Sequence, residues 1–81
     1  MTHWHIYVLK DSIGTKRYVG CTMYPYQRMF AHRQRFQWFT DFEVVEICPD
    51  SWTARDAEIA WIQRLRAEGA ILENRHRNRL Y

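Results

Sequence analysis

The chain has only two cysteines, Cys21 and Cys48, and neither belongs to a Cys-x-x-Cys pair. That is too few for a disulfide framework, and the expected setting is reducing and cytoplasmic. No apolar run approaches the roughly 18 residues that a membrane-spanning helix needs. Met1 to His5 do not begin a charged segment followed by an apolar one, so no signal peptide is expected. No linker, repeat or low-complexity tract interrupts the 81 residues. That length holds one core, so residues 1–81 are expected to form a single domain.

What is present is apolar and aromatic. The composition is 47% hydrophobic and 16% aromatic, with four Trp, five Tyr and four Phe. This is the make-up of a folded globule, and large rings bury the area that a small core would otherwise lack. The net charge of +3 is mildly basic and compatible with a polyanionic partner. Its distribution says more. Eight of the twelve cations are arginines in two groups, Arg28/Arg33/Arg35 and Arg64/Arg66/Arg75/Arg77/Arg79. Arginine offers the planar fork that matches phosphate, although solvated helix faces and a basic tail would read the same way.

Patterning gives five main elements. His3 to Lys10 is aromatic and β-branched, a strand signal, and Arg17-Tyr18-Val19-Gly20 reads as a second strand. The turn-rich stretch Asp11 to Lys16 joins them as an antiparallel hairpin. Pro25 to about Phe36 reads as a helix, with Tyr26, Met29, Phe30, Arg33 and Phe36 on one side. Phe42 to Ile47 reads as a third strand, ended by Pro49-Asp50-Ser51. The longest helix runs from about Trp52 to Glu68, with Thr53 and Asp56 in a capping arrangement and Gly69 as its stop. Ile71-Leu72 is a short apolar stretch before a basic tail. The order β-β-α-β-α describes a small α/β (α+β) domain, a three-stranded antiparallel sheet flanked by helices.

Chemistry is suggested at three places. In the long helix Ala54, Ala57, Trp61, Ile62 and Leu65 share one arc, and Glu58 lies within it. A carboxylate there is costly unless it is paired, hydrogen-bonded or bound to a metal. In the first helix Arg28, His32 and Arg35 share a face, which puts a guanidinium one turn from a group that can move protons. In the hairpin, Tyr7 faces its partner strand near Tyr18. Trp38 and Phe39, in the loop after the first helix, are a candidate partner or dimer contact, with core packing as the alternative.

Together these residues resemble one family. His5-Ile6-Tyr7 and Tyr18-Val19-Gly20, with ten residues between the tyrosines, are similar to the paired motifs of the GIY-YIG nucleases. Arg28 and His32 resemble the family's next helix, Glu58 its metal-binding glutamate, and Leu72-Glu73-Asn74 its closing segment. His5 stands where the family's first glycine would be, and Val19 where its isoleucine would be. Cys21-Thr22-Met23 lacks the lysine that some members carry.

The resemblance implies a stand-alone catalytic domain, an endonuclease cutting DNA more readily than RNA, one strand per active site. It implies one divalent cation, Mg²⁺ or Mn²⁺, held by Glu58 and waters. Arg28 would clamp the scissile phosphate, Tyr7 would be the general base with its pKa lowered by nearby cations, and Tyr18 and His32 would position water or relay protons. His5, Gly20, Arg35 and Asn74 are implied on the substrate side, with Asn74 as a brace and Gly20 permitting close backbone approach. The chain would work as a monomer or weak homodimer, with a separate specificity protein as a further partner. Two other readings are a nucleic-acid-binding module without catalysis and a structural zinc on His3, His5, His32 and His76. No ligand pair there has finger-like spacing.

Overall fold

The computed structural model describes residues 3–74. Along the chain lie β1 (Trp4–Lys10), β2 (Lys16–Thr22), α1 (Pro25–Arg35), β3 (Asp41–Cys48), α2 (Ser51–Ala67) and β4 (Ile71–Leu72). They form one sheet in the order β3-β1-β2-β4. The three antiparallel strands are those anticipated. The short Ile71-Leu72 stretch adds a fourth, parallel to the start of β2 with Ile71 opposite Lys16 and Leu72 opposite Arg17. Two residues carry too little periodicity to announce a strand, and their pairing depends on where α2 delivers the chain.

The β1–β2 hairpin is set by its turn. Asp11 Oδ1 accepts from the Thr15 and Lys16 amides at 2.9 and 3.2 Å, and Gly14 takes a φ of 78° that favours glycine. The register that follows places Tyr7 opposite Gly20 and Leu9 opposite Tyr18. On the other side of β1, Ile6 faces Glu46 while Tyr7 faces Val44, which leaves Val45 as a bulge. A bulge re-aims a strand locally, and this one sits beside Tyr7.

Strand alternation divides the interior into two cores. Ile6, Val8, Val19 and Cys48 pack with Ala54, Ile62 and Leu65 of α2. On the opposite face Tyr7, Leu9, Tyr18 and Phe39 form an aromatic cluster with Phe36, Trp38 and Phe42. Phe39 is buried and Trp38 half-buried there, so this pair belongs to the core and is not an exposed contact. Cys21 is half-buried and Cys48 buried.

Both helices carry local signals, read with mixed success. The cap of α2 is Asp50, whose side chain accepts from the Thr53 amide at 2.7 Å; it replaces the expected Thr53/Asp56 arrangement. Gly69 ends the helix as anticipated, with φ of 92° and Ala70 N–H donating to Leu65 O at 3.0 Å. The inward face of α1 differs from the apolar stripe. His32 is the buried residue, flanked by half-buried Arg28, Met29 and Phe36, while Tyr26 and Phe30 point outward. The reason lies in what His32 finds: its ring lies 5.1 Å from both Phe36 and Tyr18 and 5.5 Å from Tyr7. Three aromatic contacts and a short hydrogen bond outweigh burying two more rings.

Candidate active site

Tyr7 is the centre of the site and is fully buried (0% exposed). It lies opposite Gly20, and its phenol extends over that residue: a Cβ on Gly20 would overlap the ring's hydroxyl carbon and oxygen. Glycine is needed here so that Tyr7 can cross β2; no substrate backbone has to be invoked. Tyr18, one register step away, stacks at 6.4 Å between ring centres, and Phe42 of β3 stacks on the other side at 4.8 Å.

The Tyr7 hydroxyl meets His32 Nε2 at 2.6 Å. Burial, then the charges of Arg28 and Arg35, hold the His32 pKa down to about 4, so the ring is neutral near pH 7. A neutral imidazole can accept the phenol proton at Nε2 or donate from Nε2–H, so the pair can pass a proton either way. Burial raises the Tyr7 pKa well above its ordinary value near 10, with Tyr18 next and Glu58 adding to the rise. Arg28, which also hydrogen-bonds the phenol, opposes this but does not prevail. The expectation that neighbouring cations lower the Tyr7 pKa is therefore reversed: desolvation in the aromatic cluster exceeds one guanidinium.

Arg28 is half-buried on α1 one turn before His32. Arg35 is exposed, its guanidinium 5.8 Å from the Phe36 ring. Glu58 reaches the site from the other face of the sheet. It is 2% exposed on α2 and borders a cavity of about 280 Å³ with Trp4, Cys21, Ser51, Trp52 and Arg55. Its charge is the smallest of the influences that raise the Tyr7 pKa. Among the described residues β4 pairs only with Lys16 and Arg17, so the outer edge of β2 from Gly20 onward has no strand beside it.

Asn74 closes the stretch in between. Its Oδ1 accepts from Val19 N–H at 3.0 Å and its Nδ2 donates to Val19 O at 2.6 Å. It is fully buried, and its amide takes the place that a strand's peptide would have held. This geometry braces β2 and commits both amide atoms of Asn74 to the Val19 peptide. His5 is half-buried beside a second cavity, and its buried Nδ1 has no hydrogen-bond partner among the described residues.

A model of the GIY-YIG catalytic domain matches residues 3–74. The chain belongs to the GIY-YIG family. No curated protein and no solved structure gives a significant match. GIY-YIG is a family of nucleases, which act on nucleic acid and generally depend on divalent metal. The donor chemistry fits that requirement. Among the described residues no three His, Cys, Asp or Glu side chains cluster as a metal site, which leaves the Glu58 carboxylate beside an open cavity. One carboxylate with room for waters suits an oxygen-seeking ion of the Mg²⁺ type and not tetrahedral zinc. Of the four-histidine zinc reading, His76 lies outside the described residues, as do Arg75, Arg77 and Arg79 of the second arginine group. No helix among the described residues is long and apolar enough to cross a membrane.

Sequence reasoning missed Trp52 and Arg55 at the Glu58 cavity, and Tyr24 and Tyr26 at the other. Arg55 could have been found, since it lies three residues before Glu58 on the same helix.

Proposed function

We propose that this GIY-YIG domain is an endonuclease that hydrolyses phosphodiester bonds in DNA, one strand per active site, with Mg²⁺ or Mn²⁺ at Glu58. The observation that carries this reading is the Tyr7–His32 contact at 2.6 Å, on which Arg28 and Glu58 both act. A buried phenol with a raised pKa is a poor standing base, but it has a receiver for its own proton. Tyr7 oxygen takes a proton from the attacking water as its hydroxyl proton passes to His32 Nε2. The new bond joins water oxygen to phosphorus; the bond to the 3′ oxygen breaks, and that oxygen takes a proton from solvent.

His32 gains basicity when it is needed. Arg28 and Arg35 hold its pKa down, and a phosphate beside them neutralises part of that charge. Arg28 holds the phosphate and stabilises the charge that grows during attack. Tyr18 packs against both rings of the pair and fixes their geometry. A divalent cation at Glu58 supplies Lewis-acid stabilisation of the phosphate and the leaving oxygen.

One site per chain breaks one strand per encounter; a concerted double break needs a symmetric dimer or a second partner. The test is supercoiled plasmid incubated with dilute protein, with and without Mg²⁺ or Mn²⁺. Nicked circle should accumulate before linear product, and only with metal. Linear product without a nicked intermediate would overturn the one-strand reading. No cleavage under any of these conditions would overturn the nuclease reading.

A further inference from the structure

Two cavities flank the same end of the sheet. Trp4 and His5 are neighbours on β1, so alternation sends them to opposite faces. Trp4 lines the cavity that holds Glu58, Trp52 and Arg55. His5 lines the other, of about 410 Å³, with Met23, Tyr24, Pro25, Tyr26 and Gln27. Between them runs the part of β2 whose outer edge has no strand beside it among the described residues, Gly20 to Thr22, and the Tyr7 phenol lies over Gly20.

Each cavity has a large ring at its mouth that the core does not use. Trp52 is 77% exposed and Tyr26 is 81% exposed; Tyr24 and Phe30 are exposed near Tyr26. Tyr26 and Phe30 are one turn apart on α1 and so form a row. Cationic side chains accompany the rings. Arg55 lines the Trp52 cavity together with Glu58, the acidic residue at which the proposed cation would sit; Arg28, Arg33 and Arg35 follow Tyr26 along α1, whose first turn carries no acidic residue. Arginines interleaved with exposed rings, and aromatic-walled hollows on both sides of a phosphate clamp, fit one occupant. It is a nucleic-acid strand whose bases are free to leave their stack. A base paired in a duplex cannot offer its face to a side chain.

We infer that the domain takes unpaired DNA, with the nucleotides on the two sides of the scissile phosphate stacked on Trp52 and on Tyr26 with Tyr24. This rests on the nuclease reading above and specifies its substrate. A duplex is cut only where it opens, as at a flap, a bubble or a stressed region of a supercoil. His5 borders the tyrosine cavity, which gives the histidine at the first-motif glycine position a contact with substrate and not with metal.

Binding separates this inference from the catalytic one. With Glu58→Gln as background, an end-labelled oligonucleotide is titrated as a single strand and as a blunt duplex of the same sequence at one salt concentration. The single strand should bind at least tenfold tighter. Trp52→Ala and Tyr26→Ala should each weaken single-strand binding about fivefold or more and change duplex binding less than twofold. Both side chains are exposed, and circular dichroism checks that each variant folds. Tryptophan fluorescence should be quenched by the single strand, and Trp52→Phe should remove most of that quench. Equal or tighter duplex binding, or no loss in either alanine variant, overturns the inference. In parallel, wild-type protein with Mg²⁺ is given both substrates. Cleavage of neither strikes at the nuclease reading alone, while cleavage of blunt duplex as fast as single strand strikes at the substrate class alone.

Discussion

The two faces of the sheet are built from different material. Against α2 the packing is aliphatic: Ile6, Val8 and Val19 meet Ala54, Ile62 and Leu65. Against α1 it is aromatic and polar: Tyr7, Tyr18 and Phe36 surround a histidine. Aliphatic side chains pack without direction and stabilise in proportion to the area they bury. Rings with a hydroxyl or a ring nitrogen pack as well, and they hold a proton in a fixed place. On the proposed mechanism the α2 face carries stability and the α1 face carries chemistry, with Glu58 as the exception buried on the stabilising side.

Glu58→Gln breaks that division at its exception. Cleavage should fall at least about a thousandfold in a plasmid assay, while folding, followed by circular dichroism, and nucleic-acid binding persist, because glutamine keeps the shape and helix propensity of glutamate. Tyr7→Phe, on the other face, should lower the rate by about 10²–10⁴ and cost only about 1 kcal/mol, the net worth of its hydrogen bond. Cleavage by Glu58→Gln near the wild-type rate would remove it from the site.

Gly20→Ala couples the two regions. The new methyl occupies the place of the Tyr7 hydroxyl end, so the ring must move. Misplacement of this kind can cost about 10² in rate, and crowding about 1–3 kcal/mol. Denaturant melts with rate measurements check both, and an active, equally stable variant would show that Tyr7 is not held over Gly20.

Asn74→Ala asks how far the stable side depends on the closing segment. Val19 N–H and O are buried and would both lose their partner, for a loss of about 2–5 kcal/mol in urea melts. A loss below about 1 kcal/mol would mean that water reaches the Val19 peptide and that the β2 edge is open farther than described.

The aromatic face also gives stability a pH dependence. The His32 pKa falls from 6.5 unfolded to about 4 folded. Below 6.5 the unfolded chain takes up a proton that the folded chain refuses until about 4, so stability declines as the solution is acidified through that window. At about 1.4 kcal/mol per unit the full contribution is about 3 kcal/mol, and only its upper part is lost by pH 5.5. Urea midpoints of wild type and His32→Phe between pH 7 and 4.5 should diverge. Parallel curves would show that His32 titrates normally.

Much of this was legible beforehand. The three long strands, both helices, the stop at Gly69 and the burial of Glu58 follow from local signals: β-branched runs, turn residues, a period of 3.6 and a glycine at positive φ. The face of α1 was not. Tyr26 and Phe30 look like core on a helical wheel, whereas His32 is what the fold buries. A wheel ranks residues by hydropathy, and it cannot register a phenol waiting 25 positions earlier in the chain. Trp38 and Phe39 were open to two readings, a contact surface or core packing, and core packing is the outcome because Tyr7, Leu9 and Tyr18 lie beneath that loop.

What the amino-acid order determined alone is thus the set of elements and the identity of the reacting groups, because propensity, capping and side-chain chemistry act over a few residues. The tertiary structure decided their protonation and their meeting. Tyr7 is a resting phenol and not a phenolate because burial exceeds the pull of Arg28, and burial is a property of the whole packed cluster. Tyr7 and Glu58 come within electrostatic reach of one another only in the folded chain, and among the described residues the outer edge of β2 is open beyond Asn74 because β4 pairs only with Lys16 and Arg17. That opening depends on strand register and on the path of the chain after α2, and no local pattern encodes either.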